Sequence, residues 1–330
     1  VTAQPDEFAL IRQLAATQRA VRDDVVLGIG DDGAVLSPLR DAHLVAVCDT
    51  LVGGRHFPDD TDPFAIGWKA LAVNLSDLAA MGAQPQWALL ALTLPRADAA
   101  WIARFGAGFA ALAKMCAVEL VGGDTTRGPL TITVTAIGAI APGLALRRDG
   151  ARVGDHVCVA GAFGEAALGL HAVQRGRRAD PRFAHCIARL DRPEPQLALG
   201  QALVGLASAA IDVSDGLLAD LAHVARASKV GMRLAHAAIV FPDVALTMAL
   251  GLPSTAALDA ALCGGDDYLL AFTVPPHHLD EAAARCAALG LELHCLGDVI
   301  AGAGVQVVMA DGREYIPAGV GFNHFGADDV

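Results

Sequence analysis

Side chains able to do chemistry recur at the ends of apolar segments. They are Asp31 and Asp32 in GIGDDGA, Asp49 in VCDTL, Asp77 in NLSDLAAMG, Asp124 in VGGDTTRG, and Asp212 with Asp215 in IDVSDG. Each of these five settings has Gly, Ser or Thr beside at least one of its aspartates. Aspartate is short and rigid, and glycine lets the backbone come close, a combination that suits oxygen ligation of a hard cation such as Mg²⁺. One Gly-Asp turn is an ordinary turn; five such settings in one acidic chain point to a metal cluster. Asp77 is the sharpest case. In KALAVNLSDLAAMGAQP it is the only ionisable group between Lys69 and Pro85, while Leu71, Leu75, Leu78 and Ala79 recur at helical spacing. Asn74 stands three residues earlier on the same face. A carboxylate inside an apolar helix is costly unless it is paired, protonated or metal-bound.

The elements that must position these groups follow from the same patterns. Residues 6–17 read as a first helix, and DDVVLGIGDDGAVLSP as two short strands about a Gly-Asp-Asp turn. HLVAVCDT is a strand ending at Asp49, 63–81 a helix, 87–94 a strand and 97–118 a long amphipathic helix, in which Trp101 and Phe105 are core residues. ELVGGDTTRGP is a strand edge, and LTITVTAIG alternates strictly. In the second half, 165–173, 196–209 and 277–289 read as helices. AIDVSDGLLADLAHVARAS is a strand-turn-helix, CGGDDYLLAFTV a turn feeding a strand, and the C-terminal part is strand-rich. Strands outnumber a simple βαβ alternation. The expected fold is therefore α+β (mixed α/β) in two domains, each a mixed sheet with helices packed on one face. Residues 147–154 are the boundary, which divides the chain into 1–148 and 149–330.

Composition narrows the function. The 330 residues are 54% hydrophobic and 18% charged, with a net charge of −12. That balance describes ordered, globular domains with cores of their own and excludes a nucleic-acid binder that relies on a basic surface. Seven cysteines without a CxxC pair read as reduced, mostly buried groups of a cytoplasmic protein. VTAQPDEFALIRQL lacks a basic start followed by an apolar run, so no signal peptide is expected. The longest uncharged segment, 128–146, is an alternating strand broken by Pro142-Gly143 and not a membrane helix.

Bound Mg²⁺ would also let so acidic a chain hold phosphates, because cations bridge carboxylates to phosphate oxygens. Arg127 and Arg148 are candidates for supplementary positive charge, or are surface arginines. Nucleotide motifs of the common kinds are missing. The three lysines follow Trp, Ala and Ser, so there is no Walker A loop, and no HRD or DFG set occurs. His56 in GGRHF is a substrate contact or a surface residue. Ser214 either binds phosphate or caps the following helix. Asp266 either hydrogen-bonds a substrate ring or forms a tight turn, and Phe322 either stacks on an aromatic ring or anchors the C-terminal segment.

Seven motifs, in order, resemble those of the thiamine-monophosphate kinases, a family in the superfamily that includes aminoimidazole ribonucleotide synthetase. They are GIGDDGAVL, DTLVGGRHF, KALAVNLSDLAAMGAQP, GGDTTRGPL, IDVSDGLLADL, GGDDYLLAFTV and GFNHF, and they span nearly the whole chain. The resemblance implies transfer of the ATP γ-phosphoryl group to thiamine monophosphate, with several Mg²⁺ and no covalent phosphoenzyme. It also implies a homodimer whose N-terminal strands close a shared barrel. Carried over by position, it makes Asp32, Asp49, Asp77, Asp124, Asp212 and Asp215 Mg²⁺ ligands. Gly123, Asp124, Arg148 and Ser214 become nucleotide contacts, and His56, Asp266 and Phe322 contacts to the thiamine moiety. Val47 and Cys48 stand where the family often has a hydroxyl pair, so a metal contact at Cys48 must come from its backbone carbonyl. Asp266 stands where Glu is common, one methylene shorter. Two rivals are a sister synthetase, such as a selenophosphate synthetase, and a non-catalytic metal- or nucleotide-binding regulator. The first would need a reactive Cys and Lys near its N-terminus, yet the first Cys here is Cys48 and the first Lys is Lys69.

Overall fold

The structure is a computed structural model and describes residues 13, 15–16, 22–29, 33–38, 40–319 and 321–322. The helix expected over 6–17 falls largely outside these residues, and the turn carrying Asp31 and Asp32 wholly so. By packing, the chain forms two units. The first holds the described residues up to and including Leu78 and Ala83–Gly143; the second holds Ala79–Gly82 and the described chain from Leu144 onward.

In the first unit, β1 (Val25–Leu27) and β2 (Val35–Leu36) pair as a small antiparallel ladder. Then come β3 (His43–Val52), α1 (Pro63–Ala80), β4 (Gln84–Leu94), α2 (Ala99–Met115), β5 (Glu119–Arg127) and β6 (Thr131–Ile140). The four long strands form a mixed sheet in the order β3-β6-β4-β5, with only β4 and β5 parallel. Alternation decides its two faces. Ala88, Leu90, Leu92, Ile132, Val134 and Ala136 are buried on one side, while Leu89, Ala91 and Thr50 of the other side are exposed. The helices lie on the buried side. α1 is apolar nearly all round, with Leu71, Leu75 and Leu78 fully buried, as befits a helix enclosed on every face. Trp101 stacks on Phe105 at 5.1 Å along α2, and Phe105 belongs to the core as expected.

The second unit contains β7 (His156–Val159), α3 (Glu165–Gln174), α4 (Ala184–Asp191), α5 (Leu197–Leu203), β8 (Ala209–Val213), α6 (Leu217–Ser228) and β9 (Gly231–Ala235). It continues with α7 (Val244–Ala249), α8 (Ala256–Cys263), β10 (Leu269–Val274), α9 (Leu279–Ala288), β11 (His294–Ile300), β12 (Gly304–Val308) and β13 (Glu314–Tyr315). Its seven strands run β13-β12-β9-β11-β7-β10-β8, antiparallel except for β9 with β12. Here the structure departs from the one-face expectation. Every residue of β8 and β10 is buried. One set of their side chains packs on α6 and α8, the opposite set on α5, α9 and Ala79–Ala80. Unbroken apolar strands such as LLAFTV read as covered on both sides for this reason. Helix α5 is also shorter than the expected 196–209, ending at Leu203 before the chain turns into β8.

Candidate active site

In the first unit the geometry centres on Asp49 of β3 and Asp77 of α1. Asn74 is fully buried; its side-chain oxygen accepts from the backbone N–H of Asp49 at 3.1 Å, and its amide donates to Ala70 O at 3.2 Å. This pins the helix to the strand, so that the Asp49 and Asp77 side chains share a hydrogen bond. Burial pushes the Asp49 carboxyl upward, opposed by that bond. Two carboxyls in contact in a half-buried setting hold either one proton or one cation. All the donors present are hard oxygens, so the pair fits a divalent ion such as Mg²⁺.

The remaining candidates of this unit are placed differently. Asp124 is exposed on β5, paired in register with Ala91, whose partner on β6 is Thr133. Its side chain is therefore on the open face, three strand spacings or about 14 Å from β3. Gly123 precedes it with φ +155°, and a Cβ there would lie 1.9 Å from Leu90 O, so only glycine lets β5 run this close to β4. Cys48 also faces the open side, its sulfur accepting from the Thr135 hydroxyl at 3.4 Å, which leaves only its carbonyl for the role expected of it. His56 Nδ1 accepts from Val52 N at 2.9 Å, so the neutral ring carries its proton on Nε2 and presents a donor there. The buried Lys69 donates to His56 O at 3.2 Å and fixes this loop. Arg127 lies exposed at the end of β5. Among the described residues no group of three or more His, Cys, Asp or Glu side chains is gathered as a finished metal cage. The expected five-carboxylate cluster is represented by the Asp49–Asp77 pair, because Asp124 turns to the other face; Asp32 lies outside the described residues.

In the second unit four candidates are drawn together by backbone bonds. Asp266 N donates to Ser214 O at 2.8 Å, Tyr268 N to Val213 O at 2.8 Å, and Phe322 N to Asp215 O at 2.9 Å. Asp212 is at the end of β8 beside them, 5% exposed, and the Phe322 ring is exposed at 42%. The loop that brings Asp266 here is tightly constrained. Gly265 has φ +69°, with its Cβ position 2.5 Å from Ser214 O, and Asp266 and Tyr268 themselves adopt left-handed backbone. Arg148 is exposed; its carbonyl accepts from the Ser228 hydroxyl at 2.8 Å, while the neighbouring Arg147 O accepts from Ala210 N of β8.

Ser214 does not cap α6. The N-cap is Gly216, without a side-chain bond, and the backbone N–H groups of Ser214, Asp215 and Gly216 all donate to one oxygen of Asp220, at 3.0, 3.0 and 3.2 Å. Burial raises the Asp220 carboxyl to about 7, and the nearby Asp215 and Asp212 charges add to this. Asp220 is a positioning residue that sequence reasoning passed over: it holds the loop that carries Ser214 and Asp215. Its signal was present: it is the only acid in the first turn of α6, four residues after Gly216.

Asp267 is buried and accepts from the N–H of Gly164, which begins α3, with both oxygens at 3.0 and 2.9 Å. Burial drives its carboxyl up to about 8, against those backbone bonds and the Arg189 charge. Between about pH 4 and pH 8 the folded chain then keeps a proton that the unfolded chain has released, so this group's contribution to stability falls as pH rises across that window. Asp267→Asn, which cannot titrate and keeps one acceptor, is expected to flatten the fall. Urea midpoints at about pH 4, 6 and 8, the ends and middle of that range, measure it; an unchanged slope in the variant would show Asp267 to be ionised throughout.

Two mixed α/β units, the first carrying Asp49 and Asp77 and the second Asp212 and Asp215, make up a protein of the AIR synthase related class. The family model for the AIR synthase related protein N-terminal domain matches residues 30–140, and that for the C-terminal domain matches 152–310. Thiamine-monophosphate kinase of Escherichia coli K12 is 43% identical over 321 residues, covering 97% of this chain and 98% of its own. The crystal structure of thiamine-monophosphate kinase from Stenotrophomonas maltophilia K279a is 46% identical with a TM-score of 0.85, covering 94% of this chain and 98% of that one. AaThiL complexed with AMPPCP and TMP is 31% identical with a TM-score of 0.77, covering 97% of both chains. The chain therefore belongs to the thiamine-monophosphate kinase family.

Proposed function

We propose that this chain transfers the γ-phosphoryl group of ATP to thiamine monophosphate, giving thiamine diphosphate and ADP. The reading rests on full-length likeness to thiamine-monophosphate kinases and on AaThiL, a relative that binds AMPPCP and TMP. One observation in this chain carries it: a carboxyl pair, Asp49 with Asp77, locked by a buried Asn74. The bond from the γ-phosphorus to the ADP oxygen breaks as a bond to an oxygen of the substrate phosphate forms. That oxygen is already ionised near neutral pH, so no strong general base is required.

Asp49 and Asp77 would hold one Mg²⁺, with Cys48 contributing its carbonyl, while Asp32, Asp124, Asp212 and Asp215 would be ligands of further Mg²⁺ ions. Bound Mg²⁺ supplies neutralisation of phosphate charge and orientation of the two anions. Gly123, Ser214 and Arg148 would bind the nucleotide. His56, through Nε2–H, Asp266 and the exposed Phe322 ring would hold the thiamine moiety. Residues 1–148 would then form the metal, ATP and dimerisation domain, with 149–330 adding metal, ATP and substrate contacts. A homodimer is favoured by the open sheet face of the first unit, where Leu44, Leu89 and Val52 are exposed and β3 and β5 are edge strands. No helix among the described residues is long and apolar enough to cross a membrane, and we assign the reaction to the cytoplasm.

Incubation with ATP, Mg²⁺ and thiamine monophosphate, followed by chromatography, tests the reading. Thiamine diphosphate and ADP are expected in equal amounts. ADP formed with phosphate alone, or no thiamine diphosphate, would favour a sister synthetase or a regulator.

A further inference from the structure

In the second unit, β7 and β11 run antiparallel with Cys158 directly opposite Cys295. Their sulfurs are 3.5 Å apart. Directly opposed antiparallel residues have Cα atoms about 4.5–5.5 Å apart, within the range of about 4.4–6.8 Å that a disulfide spans. Side-chain rotation alone can therefore bring the sulfurs to bonding distance. The two thiols differ in access: Cys158 is fully buried in the sheet core, and Cys295 is exposed. A third thiol, Cys286 of α9, is buried in the same core as Cys158.

We propose that Cys158 and Cys295 are a modification site, a dithiol that a low-molecular-weight disulfide converts reversibly into a bond fastening β7 to β11. The exposed Cys295, as thiolate, attacks one sulfur of the small disulfide R–S–S–R. That S–S bond breaks, one R–S⁻ leaves, and a mixed disulfide forms on Cys295. Cys158 then gives its proton to the departing thiolate and attacks Cys295 Sγ, displacing the second R–S⁻. In sum, two protein thiols and one R–S–S–R give one protein disulfide and two R–SH, with two electrons passing from the cysteine sulfurs to the small disulfide. The order follows from access, and it is reinforced by burial, which pushes the Cys158 thiol far up and makes it a poor first nucleophile.

The bond would close a long loop between strands at the middle of the seven-stranded sheet. A loop of that length restricts the unfolded chain strongly, so a melting temperature higher by about 5 °C is expected. The experiment uses the full chain, reduced and then treated with glutathione disulfide, followed by non-reducing peptide mapping, thiol counting and thermal melting. A Cys158–Cys295 cross-linked peptide, loss of two thiols, a raised melting temperature and reversal by dithiothreitol are expected. Cys295→Ser, a change at an exposed position, should melt like the reduced parent and show neither cross-link nor shift. Glutathione left on Cys295 without the cross-link, a bond from Cys158 to Cys286 instead, or no loss of thiols overturns the proposal. A cross-link formed with no change in melting temperature overturns the fastening.

Discussion

Asp77→Asn is expected to lower turnover by at least about 10³-fold while leaving the fold intact or slightly more stable. The opposite signs follow from the pair itself. Without a cation, Asp49 and Asp77 share a hydrogen bond that requires a proton, and burial already raises the Asp49 carboxyl. An asparagine at position 77 donates that bond without titrating, so the repulsion of two carboxylates disappears and the ligand-free protein gains. What is lost is one anionic oxygen ligand, and with it the hold on a divalent ion. Circular dichroism and thermal melting read the first effect, and initial rates of thiamine diphosphate formation the second. A variant that melts as expected and turns over like its parent removes the pair from the mechanism. A variant that fails to fold would instead make Asp77 a core residue.

Removal of divalent cations by a chelator is expected to bring turnover to background, and added Mg²⁺ to restore it. The chain has a net charge of −12, and its site candidates are mainly carboxylates. Lys69, the one lysine beside the candidate site, is buried and donates to the His56 carbonyl. Two polyanions cannot be brought to such a surface by the protein's own charge, and Arg148 supplies only one cationic group. Turnover that survives exhaustive chelation would transfer the work of charge neutralisation to arginines. Loss of turnover that Mg²⁺ does not reverse would mean that the metal had been holding the fold.

Much of this was legible in the sequence because it is local. The enclosed helix α1 follows from the spacing of Leu71, Leu75 and Leu78, and the neighbourhood of Asn74 and Asp77 from their separation of three. The alternation of Thr131, Thr133 and Thr135 marked β6 and its open face. What the sequence hid depends on partners distant in the chain. The sidedness of Asp124 is set by register with Ala91 and Thr133, which no local pattern specifies. The second unit's sheet covered on both faces was written in the unbroken run LLAFTV, but a short apolar run does not say what covers it. Ser214 looked like a cap because a serine before a helix usually is one; the true acceptor, Asp220, reaches back from the first turn of α6 and takes three N–H groups at once. The meeting of Ser214, Asp215, Asp266 and Phe322 needs bonds that link segments about fifty residues apart or more, which spacing alone does not reveal.

The location of the cation decides the matter most directly. Crystals of the full chain grown with Mn²⁺ in place of Mg²⁺, AMPPCP and thiamine monophosphate allow the metal to be placed by its anomalous scattering. A peak within about 2.5 Å of carboxylate oxygens of both Asp49 and Asp77, also touching a phosphate oxygen, is the expected result. Nucleotide bound with no metal at that pair would contradict the account.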